Sequence, residues 1–182
     1  MPKRALLLID LQNDYFPGGK WPLVGIEQAA GNAARLVEAA RDRGDLVIHM
    51  RHEFPTTDAP FFLPGSEGAE LHPMIDRRPE EPVVLKHHVN SFRETELQQV
   101  LDSHGIEELV ICGAMSHMCV DAGTRAASDL GYQCRLIHDA CATHDQEFAG
   151  KVVPAAEVHA AFMAALGFAY ARVLSTEEYL GE

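Results

Sequence analysis

The sequence has few of the features that mark several classes of protein. Its 182 residues include four cysteines, none of them in a CxxC pair, and 15 lysines and arginines against 27 aspartates and glutamates. Disulfide frameworks and structural zinc sites are therefore not expected, and the thiols are expected to stay reduced. The formal net charge of −12 would repel phosphate backbones and anionic lipid, so no nucleic acid and no membrane is expected as a partner.

Long apolar runs are also missing. The short run at residues 5–9 meets Asp10 and has no small-residue cleavage site, which favours a strand over a signal peptide. No stretch approaches the roughly 20 apolar residues of a membrane span. We therefore expect a cytoplasmic protein that folds as a single domain over residues 1–182, on a hydrophobic core that needs no disulfide or metal.

What is present is an alternation of short apolar runs with Ala-rich segments of helical period, which is typical of βαβ units. Six strands are predicted: Arg4–Ile9, Leu46–Arg51, Val83–Lys86, Leu109–Cys112, Gln133–His138 and Ala171–Leu174. Four helices are predicted, each stopping before a glycine: Glu27–Arg43, Glu94–His104, Cys119–Leu130 and Ala155–Leu166.

Residues 52–82 break this pattern, because they contain six prolines and show no sustained period. A loop of this length is uncommon inside a compact domain and is usually functional. In its middle, Phe61, Phe62 and Leu63 need cover. The domain itself, a partner subunit and a substrate are all open as the source of that cover.

Three reactive side chains are predicted at the carboxyl ends of strands, where doubly wound sheets bind their ligands. Asp10 follows the first strand, Lys86 ends the third, and Cys119 follows the fourth across the turn 113–118. Cys119 is the candidate nucleophile because the N-terminus of a helix favours a thiolate. Asp10 can take the thiol proton, and Lys86 can hold the anion and keep Asp10 charged. Each residue alone also has an ordinary structural explanation, so the prediction depends on their combination.

The segments around these residues resemble a known family. LLLIDLQNDYF, VLKHHVNSF and LVICGAMSHMCVDAGTRAASDLGY are similar to the isochorismatase-like superfamily of cysteine hydrolases, and the likeness spans essentially the whole chain. It implies a three-layer, Rossmann-like α/β fold with a six-stranded parallel sheet in the order 3-2-1-4-5-6 and helices on both faces. It also implies a triad of Asp10, Lys86 and Cys119, a cis peptide between Ala114 and Met115, and an oxyanion hole made by the backbone N–H groups of Met115 and Cys119.

Within that superfamily the chain is similar to the metal-free branch, which includes streptothricin hydrolase and related amidohydrolases. Members with nicotinamidase activity bind a metal through Asp-x-His after the second strand and a later His. This chain has Arg51-His52-Glu53-Phe54 and Pro64-Gly65-Ser66 there instead. We therefore expect no metal and no cofactor, and the histidines that could serve as ligands have no supporting spacing: His52, His72, His87 and His88.

The expected function is hydrolysis of a small-molecule amide or related C–N bond through a thioester on Cys119. Two alternatives stay open. One is an isochorismatase-type vinyl-ether hydrolase, whose relatives commonly have Gly at the position of Cys119, and the other is a non-catalytic binding protein that retains the fold.

Several further residues are expected near the substrate. The predicted substrate contacts are His117, Phe61, Phe62 and Gln12, with Asn90 and Phe92 in the pocket wall. Cys141 is expected near the cleft as a spectator. A homo-oligomer, dimer or higher, is expected because the Phe61–Leu63 stretch and the Ala-rich helices offer apolar surface, and the resemblance implies the same.

Overall fold

The computed structural model describes residues 3–182, and its central feature is a six-stranded parallel sheet. The strands are β1 (Arg4–Ile9), β2 (Leu46–His52), β3 (Val83–Lys86), β4 (Glu108–Ala114), β5 (Gln133–Ala142) and, after a hairpin of β6 (Gln146–Phe148) and β7 (Lys151–Val153), β8 (Arg172–Leu174). Their order is β3-β2-β1-β4-β5-β8. Since β8 is the sixth strand of this sheet, the predicted order is confirmed.

Five helices connect or follow the strands and flank the sheet: α1 (Ile26–Arg43), α2 (Leu97–His104), α3 (Asp121–Asp129), α4 (Ala155–Ala169) and α5 (Thr176–Leu180). The central strands β1 and β4 are buried along almost their whole length, as expected of a parallel sheet covered on both faces. Within residues 3–182, none of the helices combines the length and the apolar character that crossing a membrane requires.

The predicted end of one helix is wrong. α1 and α2 end at Gly44 and Gly105, both in the left-handed conformation, but α4 continues through Gly167 to Ala169. A Cβ atom at Gly167 would lie 3.3 Å from the side chain of Val173 on β8. Gly167 therefore serves close packing of the helix against the strand instead of ending the helix.

The proline-rich segment 52–82 is less irregular than predicted, because it contains two 3-10 turns at Glu67–Ala69 and Pro73–Ile75. The domain covers its central aromatic pair. Phe62 is fully buried with its ring centroid 4.5 Å from that of Tyr15, and Phe61 packs against the same ring at 5.5 Å. This pair is therefore not the exposed apolar surface that the sequence predicted for subunit contact.

Candidate active site

The structure brings Asp10, Lys86 and Cys119 together at the carboxyl edge of the sheet. Asp10 directly follows β1 and has a positive φ of 53°, which is uncommon for a residue other than glycine. Strained backbone of this kind persists where surrounding structure enforces it and is concentrated at functional sites. Lys86 ends β3, and Cys119 lies in a π-helical turn after β4, Ser116–Val120.

Gly113 lets the end of β4 come close to the end of β1. Its φ is 126°, and a Cβ atom there would overlap the carbonyl oxygen of Ile9, the residue before Asp10. One residue later, the peptide bond between Ala114 and Met115 is cis, as the resemblance implied. The chain then enters the turn that carries Cys119. Since α3 begins two residues after Cys119, the predicted start of this helix at Cys119 is wrong.

The long side chain of Lys86 reaches past β2 to the ends of β1 and β4. Its Nζ atom lies 2.8 Å from Oδ2 of Asp10 and donates a hydrogen bond to Sγ of Cys119 at 3.2 Å. Lys86 and Asp10 are fully buried, and Cys119 is 5% exposed. The three groups thus form one desolvated cluster in which the ammonium contacts both the carboxylate and the thiol.

Electrostatics at this cluster differ from the simple expectation of a stable thiolate. Burial raises the pKa of the Cys119 thiol, and the Asp10 carboxylate raises it further against the opposing effect of the Lys86 ammonium. Burial alone would lower the pKa of Lys86, but Asp10 and Cys119 outweigh it, and the pKa is raised. The raised pKa favours the neutral form of the Cys119 thiol, so nucleophilic attack requires a group that accepts its proton.

A fourth buried group, His52, contacts the same ammonium. Its Nδ1 lies 2.9 Å from Nζ of Lys86, and the two residues are direct neighbours in the β2–β3 register. Burial and the adjacent ammonium lower the pKa of His52 to about 4. Sequence reasoning considered His52 only as a metal ligand, although its position at the end of a strand beside Lys86 was the signal that could have placed it in the cluster.

Cys119 opens onto a cavity of about 490 Å³, a volume that suits a small molecule. We call it the Cys119 cavity. An aromatic wall and a polar wall line it together with apolar residues: Tyr15, His52, Phe54, Phe61, His87, His88, Val89, Asn90, Arg93, Met115, Met118, Cys119 and Ala122. The cavity lining includes Phe61, a predicted substrate contact, and Asn90, a predicted residue of the pocket wall. It also includes Met115, which was predicted for the oxyanion hole.

Other predicted contacts lie outside it. Phe62 is buried beneath the wall, and Phe92 stacks on Tyr132 with a centroid separation of 6.1 Å. His117 points to the other side of its turn, where its Nδ1 lies 2.7 Å from the Thr143 hydroxyl. Gln12 is fully buried and bonded to backbone groups. The expectation that Phe62, His117 and Gln12 line the substrate pocket is therefore corrected, because the fold uses each of them for packing or hydrogen bonding.

Cys141 lines a different cavity, of about 280 Å³, which we call the Cys141 cavity. Its wall combines small apolar residues with a few polar ones: Val24, Gly25, Gln28, Ala29, His138, Asp139, Cys141, Ala142, Thr143, Ala155, Ala156 and His159. Cys141 is therefore not beside the Cys119 cavity, contrary to expectation.

Three side chains of the cluster place possible metal-ligating atoms close together. Oxygen, nitrogen and sulfur atoms of Asp10, His52 and Cys119 lie within 4.8 Å of one another, which is close enough for a shared ion. The Lys86 ammonium, however, contacts all three of these side chains. The position that a metal would need already holds a positive charge, so these residues as arranged do not fit a metal ion.

The parallel sheet with a buried Cys, Asp and Lys at its carboxyl edge defines an α/β protein with a candidate cysteine nucleophile. The isochorismatase domain family matches residues 4–178, and the chain belongs to that family. The uncharacterized isochorismatase family protein YddQ of Bacillus subtilis (strain 168) is 48% identical over 176 residues, with 97% of this chain and 98% of the relative covered.

Two further comparisons extend this result. A streptothricin hydrolase from Streptomyces noursei is 37% identical over 172 residues, covering 90% of this chain and 59% of that protein. A crystal structure assigned as an isochorismatase hydrolase from Oleispira antarctica has a TM-score of 0.96 and 59% identity, covering 100% of this chain and 97% of the other.

Proposed function

We propose that the protein is a cysteine-dependent hydrolase that cleaves a small-molecule, non-peptide amide or related C–N bond through a thioester on Cys119. The observation that carries this proposal is the contact of one buried ammonium, Lys86, with both the Asp10 carboxylate and the Cys119 thiol at the Cys119 cavity. The streptothricin hydrolase relative supports hydrolysis as the reaction class.

The proposed acylation step uses each member of the cluster. Asp10 accepts the thiol proton while Sγ of Cys119 attacks the carbonyl carbon, and the carbonyl π electrons move to oxygen. Backbone N–H groups of Met115 and Cys119 are proposed to stabilise that oxyanion. As the tetrahedral intermediate collapses, the C–N bond breaks and the amine leaves with the proton that Asp10 had accepted, so that a thioester remains.

Deacylation reverses the direction of proton flow. Water attacks the thioester carbonyl while Asp10 takes one of its protons, and the C–S bond then breaks to release the acid. Asp10 returns the proton to sulfur and restores the neutral thiol. Throughout, the Lys86 ammonium lies beside the Asp10 carboxylate and offsets the charge that develops on sulfur.

A vinyl-ether hydrolase is the second candidate, because the family takes its name from that reaction. Protonation of a vinyl ether requires an acid at Asp10 but no thiol. The placement of Cys119 against Lys86 therefore favours the amide reaction, and it also argues against a binding protein with no catalysis.

The test is to trap the covalent intermediate. We expect that, when a panel of small amides, ureas and lactams yields a turned-over substrate, rapid quenching and intact-protein mass spectrometry will find a substrate-sized adduct on Cys119. Lys86→Met is expected to slow formation of that adduct sharply, because sulfur loses its counter-charge. Turnover by Cys119→Ala without any adduct in the wild type would favour the vinyl-ether reaction.

A homo-oligomer is proposed as well, on one of the Ala-rich helices and not on the Phe61–Leu63 stretch. The outward side of α4 is apolar, without a charged residue from 158 to 171, and its exposed residues include Ala160, Ala161, Ala164, Ala165 and Phe168. Phe168 is 92% exposed. Light scattering is expected to give a multiple of 20.0 kDa, and Phe168→Glu is expected to reduce it, whereas a mass of one chain for the wild type would contradict the proposal.

A further inference from the structure

The Lys86 ammonium has more acceptors around it than it has hydrogens. An ammonium donates three hydrogen bonds. Nζ lies 2.8 Å from Oδ2 of Asp10, 2.9 Å from Nδ1 of His52, and 3.2 Å from both the His88 carbonyl oxygen and Sγ of Cys119. Which acceptors it keeps therefore decides whether it stays between the carboxylate and the sulfur.

His52 is held rigidly in this arrangement. The side chain of Gln12 accepts from the backbone N–H of His52 at 2.8 Å and donates to the backbone oxygen of the same residue at 2.8 Å. The same amide donates to the carbonyl oxygen of Ala69 at 2.7 Å. The imidazole packs against Phe54 and Phe62, with centroid separations of 4.8 and 6.1 Å. Backbone and ring are thus both fixed, and Nδ1 presents a preorganised lone pair to Lys86.

We propose that His52 is a positioning residue whose Nδ1 holds the Lys86 ammonium between Asp10 and Cys119. The inference rests on the proposed roles of Lys86 and Cys119, and it assigns His52 no contact with the reacting atoms. It also explains why Gln12 and Phe62, predicted as substrate contacts, are buried: both fix the residue that orients the lysine.

Acceptance at Nδ1 requires a neutral imidazole whose proton is on Nε2. The ammonium opposes a second positive charge on the ring. The charged or titratable neighbours of His52 are Lys86, Asp10, Cys119, His87 and His88. Without this acceptor, the ammonium would share its hydrogens among Asp10, the His88 carbonyl and sulfur alone. The shortest of these remaining contacts is the one with Asp10 at 2.8 Å, whereas the contact with sulfur is 3.2 Å. Nζ would then be free to move toward the carboxylate and away from sulfur.

The test compares three variants by the alkylation rate of Cys119 with iodoacetamide, measured by peptide mass spectrometry from about pH 6 to about pH 9. His52→Leu removes the acceptor, His52→Asn places an amide oxygen near Nδ1, and the matched control His52→Gln places it near Nε2. We expect the Leu and Gln variants to react about tenfold more slowly at neutral pH, with profiles shifted to higher pH, as loss of a hydrogen bond to a charged group implies. The Asn variant is expected within about threefold of the wild type.

Two results would overturn the proposal: a His52→Leu rate and pH profile equal to those of the wild type, or an Asn variant as slow as the Leu variant. The thermal midpoint of each variant reports folding, and if the Leu variant does not fold, the Asn–Gln pair decides by itself. Alkylation needs no substrate. Failure of the panel to reveal an amide substrate would therefore count against the proposed function and leave this inference to its own test.

Discussion

Cys119 and Cys141 are both buried, and each lines a cavity near the end of β4, but their surroundings differ in kind. Cys119 contacts the Lys86 ammonium and lies near the Asp10 carboxylate. Cys141 lies on β5 beside Gly113, donates weakly to the carbonyl oxygen of Ile137 at 3.4 Å, and has no lysine among its cavity neighbours. The pair shows that a cavity and a thiol do not by themselves make a reactive site.

Burial acts in the same direction on both thiols. It raises the pKa of Cys141 to about 12 and also raises that of Cys119. Only at Cys119 is there a carboxylate able to accept the proton and a cation able to offset the charge left on sulfur. In the proposed mechanism, the two thiols therefore differ in the means of proton transfer around them and not in the direction in which burial shifts their pKa.

The largest effect on turnover is expected from removal of the Cys119 thiol. Cys119→Ala is expected to lower kcat by at least about a thousandfold on any substrate of the amide reaction, in line with nucleophile deletions in other hydrolases. The measurement is steady-state turnover, with circular dichroism to verify folding. Retention of most of the activity would make the thiol a bystander and would remove the proposed mechanism.

Asp10 should show a smaller but still large effect. Asp10→Asn removes the proton acceptor while keeping a similar shape, and we expect kcat to fall by about a hundredfold or more. The matched control is Asp139→Asn at the Cys141 cavity, where the carboxylate accepts from the Thr176 backbone N–H and hydroxyl. That control is expected to retain turnover. Equal losses in both variants would indicate a general effect of charge removal.

The alkylation rates of Cys119 and Cys141 can be compared without any substrate. Cys119 is expected to be alkylated by iodoacetamide at least about tenfold faster than Cys141 near neutral pH, because only Cys119 has both a nearby base and a nearby cation. Peptide mass mapping at short reaction times provides the ratio. Faster labelling of Cys141, or of Cys134, would show that the nucleophile has been assigned to the wrong thiol.

The sequence predicted the fold and the convergence of Asp10, Lys86 and Cys119 because both follow from local patterns. Continuous apolar runs and intervening amphipathic helices indicate a parallel sheet, and reactive residues at strand ends converge by topology alone. Contacts between distant segments were harder. The strand-end position of His52 was a signal for its place beside Lys86, but nothing near it in sequence indicates that its ring turns toward the ammonium. Nothing in the Phe61–Phe62 pair indicates that one ring faces the cavity while the other packs beneath it.

The wrong predictions at Gly167 and Cys141 have the same cause. In a sequence, a glycine that ends a helix cannot be distinguished from a glycine that permits close packing against a strand. The contact that a Cβ atom at Gly167 would make with Val173 identifies the second case. Cys141 was predicted near the cleft because it lies beyond the predicted end of a strand at His138, but β5 extends to Ala142 and the thiol lines the other cavity. Both outcomes depend on tertiary contacts that the neighbouring sequence does not indicate.

The smallest expected effect completes the comparison. Cys141→Ala should change kcat by less than about twofold and lower the free energy of unfolding by about 1 kcal/mol, as is typical for removal of a small buried side chain. Turnover and urea unfolding of the same preparation measure the two quantities. The sulfur donates a weak hydrogen bond to the Ile137 carbonyl oxygen at 3.4 Å, and the cavity beside it can absorb part of the lost packing. A large loss of turnover with unchanged stability would mean that the Cys141 cavity communicates with the catalytic cluster through the Gly113–Cys141 pairing, and the two thiols would no longer be independent.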